Sequence, residues 1–241
     1  MFGRGIGLLL SGGRGGILTT TKLIADALRP APEWRIFDLG GPLGNLAWAE
    51  LCPGLQRLIR NAAPSWKLFL WTSAMFSLFW EFGYLMKCGV TGRGDGTALV
   101  EGLNPAGVWR ALLFLGGLML YRAAIRVLAS DLHAIVSSAE SEWRSRLRRL
   151  LWTVYFAGGM TACAGAILDP RGPGEIFNSG VMSSFAASLG LVFIPILFPS
   201  HPDKNSAVDD SLRGSFLLVA LAAIVLLLFV LVFGPGIHVS A

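Results

Sequence analysis

From Ser215 to Phe233 the chain reads SFLLVALAAIVLLLFVLVF, nineteen residues without a charge. A helix of that length, at ~1.5 Å per residue, covers about the ~30 Å of a bilayer's hydrocarbon core. A helix of this length buried in a soluble core normally keeps some polar residues on one face, and this run keeps almost none. The run predicts a membrane protein, and the rest of the sequence agrees. Hydrophobic residues make up 54% of the chain and charged residues only 15%, where a soluble domain carries about a quarter.

The 241 residues suit one helical bundle and leave no room for a second large domain. The net charge of +5 does not point to nucleic acid, because the basic residues sit mainly between apolar runs. There they anchor helix ends to anionic lipid and set orientation. Cys52, Cys88 and Cys163 are isolated, with no C-x-x-C pair, so neither a structural zinc site nor a disulfide framework is indicated. They read as apolar membrane-embedded residues.

The apolar runs predict an all-α polytopic bundle of five to six transmembrane helices with an amphipathic cytoplasmic segment. Five spans stand out: Lys67–Met86, Val108–Leu128, Leu151–Leu168, Val181–Phe198 and Ser215–Phe233. A sixth, Ile36–Leu55, is interrupted by Gly40, Gly41, Pro42, Gly44 and Asn45. Met1–Leu10 is too short to cross, and Ser11–Pro32, polar and Gly-rich, reads as loop and surface helix. The chain thus divides into a Gly-rich surface segment (1–35), a transmembrane bundle (36–199), and a cytoplasmic linker with a final transmembrane helix (200–241).

Arg144, Arg146, Arg148 and Arg149, with Arg122 and Arg126 just before them, mark the cytoplasmic side. Counting outward from that cluster puts Arg57, Arg60, Lys67, Lys204 and Arg213 inside. Lys87–Gly107 and Asp169–Gly180 then fall outside. Trp66, Trp109 and Trp152 each open a span, where indole rings favour the headgroups. Ser130–Arg149 is amphipathic enough to lie along the inner surface. Gly116, Gly117, Gly158, Gly159 and Gly165 suit close helix contact or self-association.

Within the spans two polar residues are candidates for a site. Glu81 is an intramembrane carboxylate, a costly group that marks a proton, ion or ligand site or else pairs structurally with Lys87 or Arg110. Asn45 is placed to hydrogen-bond a neighbouring helix. Catalytic motifs are missing. His133, His201 and His238 are widely spaced, and the sequence has no H-E-x-x-H, G-x-S-x-G or Walker loop.

Three stretches nevertheless resemble a family. DLGGPLGNL (Asp38–Leu46) is similar to the Gly-Pro-Leu-x-Asn segment of integral-membrane metallopeptidases of the site-2 protease class. WEFGYLMKCGVTGRGDG (Trp80–Gly96), then Pro105 and WRALLFLGGLMLY (Trp109–Tyr121), resembles a branch of those proteins. YFAGGMTACAGAILDPRGP (Tyr155–Pro173) fits the same branch. The resemblance runs from about Ser11 to Pro199 and implies an intramembrane zinc-protease fold. Two His and a downstream Asp would bind zinc, and a Glu would activate water. By motif match only Asp95 corresponds to the Asp ligand, and Asn45 to the segment beside the substrate.

The His pair and its Glu are missing from this sequence. The expected function is therefore a non-catalytic membrane scaffold or accessory subunit, without catalytic residues or cofactor. The alternatives are an active protease whose zinc-binding His ligands lie upstream of Met1, and a small transporter using Glu81. Expected partners are the lipid bilayer and a membrane protein or a second copy, but no nucleic acid. The expected compartment is a bacterial-type inner membrane.

Overall fold

The computed structural model describes residues 2–10, 15–20, 23–25, 33–59, 64–94, 96–97, 100–136, 143–197 and 216–240. They are mostly helical. A short helix α1 (Phe2–Leu10) precedes strands β1 (Gly15–Leu18) and β2 (Leu23–Ala25). Long helices follow: α2 (Glu33–Leu58), α3 (Pro64–Thr91), α4 (Ala106–Val136) and α5 (Trp143–Ala166). Next comes a broken helix, π-helical over Ile176–Ala186 and 3₁₀ over Ala187–Ile196, then α6 (Phe216–Phe233) and strand β3 (Ile237–Ser240).

Helices α2 and α3 run antiparallel, as do α3 and α4. Asn45, Trp48 and Gln56 of α2 meet Glu81, Ser73 and Lys67 of α3 in reverse order. The α3–α4 pair is held close by glycine. A Cβ at Gly89 would lie 2.7 Å from both the Arg110 carbonyl oxygen and the Phe114 nitrogen, and one at Gly117 would lie 3.0 Å from the Phe82 carbonyl oxygen. Trp71 locks the other end by donating its indole N–H to the Leu128 carbonyl at 2.9 Å. Gly159 and Gly180 serve likewise between α5 and the broken helix and Gly158 makes room for the Phe76 ring of α3, whereas Gly116, expected at a contact, faces open space.

The main core joins Trp71, Met75 and Phe79 of α3 to Tyr121 and Leu128 of α4, Leu151 of α5, and Leu191 and Ile194 of the broken helix. Tyr121 sits where the broken helix changes pitch. Its hydroxyl donates to the Ala187 carbonyl and accepts the Gly190 N–H at 2.7 Å, while its ring stacks on Phe79. Long π or 3₁₀ runs are rare because their hydrogen bonds are poorer. Here a side-chain hydroxyl supplies the bonds that the pitch change disrupts.

Among the described residues, two helices are long and apolar enough to cross a membrane, Ala106–Leu132 and Ile176–Ile196, and Ala222–Phe233 is a shorter apolar helix. The other expected spans lie inside helices of ample length that are more polar. At 26, 28 and 24 residues, α2, α3 and α5 reach about 36–42 Å at ~1.5 Å per residue. Their apolar stretches are diluted by charges such as Asp38, Lys67, Glu81 and the arginines that open α5.

Two expectations change. Ser130–Arg149 is not one surface segment: its start continues α4 to Val136 and its end, from Trp143, opens α5. The leading loop and surface helix instead contributes strands. β1 pairs antiparallel with β2 on one side and with β3 on the other, Ile17 facing Ile24 and His238. Leu8 of α1, Leu23 of β2 and Phe37 of α2 pack beneath this sheet with Val239.

Candidate functional site

Successive positions on a helix turn by ~100°, so residues two apart point to nearly opposite sides. On α3 this separates two jobs. Phe79 and Gly83 face the broken helix, against Gly190 and Ala187. Glu81, between them, therefore points the other way, towards α2 and α1. The same arithmetic explains why Lys87 does not pair with it: six residues on, it lies on a different side. Lys87 stands instead over the Tyr84 ring, its ammonium 5.2 Å from the centroid.

Arg110, the other expected partner, is also engaged elsewhere. Its Nε donates to the Gly89 carbonyl at 3.2 Å and its Nη2 to the Val90 carbonyl. It closes the carbonyls at the C-terminal end of α3, where a cation also complements the helix dipole.

Glu81 and Asn45, separate candidates in the sequence, come together. The Asn45 Nδ2 donates to Glu81 Oε2 over a long 3.4 Å contact. Glu81 is only 4% exposed, and among the described residues its Oε1 has no hydrogen-bond partner. α1 completes the surroundings. Its Arg4 lies 5.7 Å over the Phe37 ring and packs along Gly41, close enough to act on Glu81, Asp38 and Tyr84. Gly41 admits that side chain, since a Cβ there would sit 3.3 Å from Arg4 Nε. The wedge between α1, α2 and α3 thus holds Arg4, Asp38, Asn45, Glu81 and Tyr84.

Asp95, the proposed zinc ligand, lies outside the described residues. Its neighbours are placed: Gly94 takes φ +112°, a region that favours glycine, and a Cβ there would meet Tyr84 Oη, while one at Gly96 would meet Cys88 Sγ. Among the described residues no three His, Cys, Asp or Glu side chains gather closely enough to hold a metal ion. The residues described do not form the donor set that a catalytic zinc needs.

A second polar cluster escaped the sequence reading. In the turn after α5, Arg171 grips the buried Asp169 with two bonds, Nε to Oδ1 at 2.9 Å and Nη2 to Oδ2 at 2.8 Å. Its Nη1 reaches Glu175 Oε1 at 2.7 Å, and Ser179 donates to the other Glu175 oxygen. Burial lowers the Arg171 guanidinium from its ordinary value, opposed by Glu175. The signal was D-P-R-G-P-G-E, whose two prolines and two glycines force a tight turn that brings the three charges together. This cluster fixes a connection rather than presenting a reactive group.

No family model, no curated protein and no solved structure matches the chain. The wedge therefore has to be read from its own chemistry. It offers one buried, incompletely bonded carboxylate beside an amide donor and an arginine, an arrangement suited to holding a proton or anchoring a helix.

Proposed function

We propose that this chain is a multi-pass membrane protein with six crossings, in a bacterial-type inner membrane, serving as a non-catalytic scaffold or accessory subunit on a site-2-protease-like bundle. The observation that carries the topology is the pairing of β1 with β3. Strands on either side of a set of crossings can share a sheet only if the number of crossings between them is even. Counting α2, α3, α4, α5, the broken helix and α6 gives six. Dropping α2 would leave five, and the two strands would lie on opposite faces. The count also agrees with the arginine cluster near residue 149 lying inside.

The exterior supports a role in association. Met119 of α4 is 71% exposed, and Val108, Leu112 and Val127 lie on its surface with it. On α6, Ile224, Val225, Leu227, Leu228, Leu231 and Val232 are all more than half exposed. Such surfaces suit lipid or a partner helix. The family resemblance supplies the bundle type, and the missing H-E-x-x-H argues against hydrolysis by this chain.

The test is reconstitution of the purified chain with a panel of single-span membrane substrates, with and without a metal chelator. The scaffold reading expects no chelator-sensitive cleavage and recovery of a stoichiometric membrane partner or a second copy on mild solubilisation. Chelator-sensitive cleavage by the 25.8 kDa chain would overturn it.

A further inference from the structure

We propose that Glu81 is a proton-binding site, loaded from the face of the bundle that carries the sheet. The geometry is that of a carboxyl group held for a proton. One oxygen accepts from Asn45 at 3.4 Å, and the other, buried, has no partner. An ionised carboxylate left so incompletely bonded in an apolar bundle is strongly disfavoured, and such groups commonly neutralise by taking up a proton.

The surrounding charges leave room for that proton. From α1 comes one cation, Arg4; from α2 one carboxylate, Asp38; from α3, besides Glu81, come the neutral Tyr84 and Cys88. Among the described residues one guanidinium thus serves two carboxylates, with Glu101 adding a further negative charge near Asp38, and a proton on Glu81 reduces that excess. Lys87 and Arg110 are committed to the Tyr84 ring and to the α3 carbonyls. From α4, Tyr121 lies against Phe79 and the broken helix, on the far side of α3. Arg171, which acts on Arg4 from beyond the wedge, is held by Asp169 and Glu175.

A metal cation fits less well. Ions such as sodium select carbonyl and carboxylate oxygens, and Asn45 turns its amide nitrogen to Glu81. The side of the sheet is the nearer one: α1 closes the wedge there, and Tyr84, one turn from Glu81, reaches Gly94 in the connecting turn.

The experiment is infrared difference spectroscopy, across a pH series, on the full chain in lipid nanodiscs. A carboxylic C=O band should grow as pH falls, shift in heavy water, and vanish in Glu81→Gln. Asn45→Leu should move the midpoint towards alkaline pH by about tenfold in proton concentration, because the ionised form loses its donor. If Glu81→Gln does not fold, Glu81→Asp and Asn45→Leu decide the matter by displacing the same band. A band untouched by every one of these substitutions, or a Glu81 that remains ionised at all pH values, overturns the proposal. So does a band abolished by sodium at fixed pH, which would make the site a metal-cation site.

Discussion

Asp169 and Glu81 are both buried carboxylates, yet they have opposite circumstances. Asp169 is gripped by Arg171 through two bonds, whereas Glu81 has one long contact and an open oxygen. Removing a partner from a buried ion pair leaves an uncompensated charge and costs about 3–5 kcal/mol. Arg171→Met should therefore lower stability by roughly that amount, read as a drop in the denaturation midpoint in detergent. Glu81→Gln should cost far less, since its main loss is a 3.4 Å contact. A near-neutral Arg171→Met would mean that the backbone N–H of residue 171, which already donates to Asp169 Oδ1 at 3.0 Å and survives the substitution, suffices to hold the carboxylate. At this scale the sequence was half legible. It nominated Asn45 and Glu81 individually, because polar groups stand out in apolar runs. It offered Lys87 and Arg110 as partners, because spacing along the chain says nothing about which helix lies across. Arg4, on a helix too short to attract notice, could not be foreseen.

Helices α2, α3 and α6 fall within about five residues of their expected runs, whereas α4 continues eight residues beyond Leu128 and α5 begins eight residues before Leu151, because charged sequence extends both helices past their apolar parts. Their internal geometry was not visible. Nothing in IFNSGVMSSFA followed by ASLGLVFIPI announces a change from wide to tight winding, which depends on the Tyr121 hydroxyl from another helix. Tyr121→Phe deletes that hydroxyl and leaves the Gly190 N–H and Ala187 carbonyl to find new bonds. A buried group left without its partner costs about 1–3 kcal/mol. The expected outcome is faster amide hydrogen exchange at Gly190 than elsewhere in the broken helix. Unchanged exchange there would show that the winding holds without Tyr121. The α3–α4 contact makes a complementary prediction. Gly89→Leu must push Arg110 and Phe114 away, so it should destabilise the bundle by more than Gly116→Leu, whose site is open. Comparing thermal unfolding of the two variants checks this.

Across the whole molecule, closure of the sheet was the least legible property. Arginine clusters declare a side over short loops, but pairing between segments more than two hundred positions apart leaves no local pattern in GGIL or IHVS. The proposed six-crossing arrangement makes a direct prediction for single-cysteine variants with Cys52, Cys88 and Cys163 replaced. Arg93→Cys, Gly174→Cys and His238→Cys should react with a membrane-impermeant maleimide in intact cells, and Arg149→Cys only after permeabilisation. Labelling of Arg93→Cys and His238→Cys from opposite sides would break the even count.

The β1–β3 ladder also has a consequence in time. A ribosome makes the chain from its N-terminal end, so β1 is synthesised before any of the long helices and β3 after all of them. Until β3 has been made, β1 has an open edge on the side facing β3, with Ile17 and Leu18 awaiting His238 and Ile237. An open edge strand invites other strands or a chaperone. On the proposed topology the last strand to arrive therefore marks completed insertion, and a chain stalled before Ile237 would keep an unpaired edge on β1.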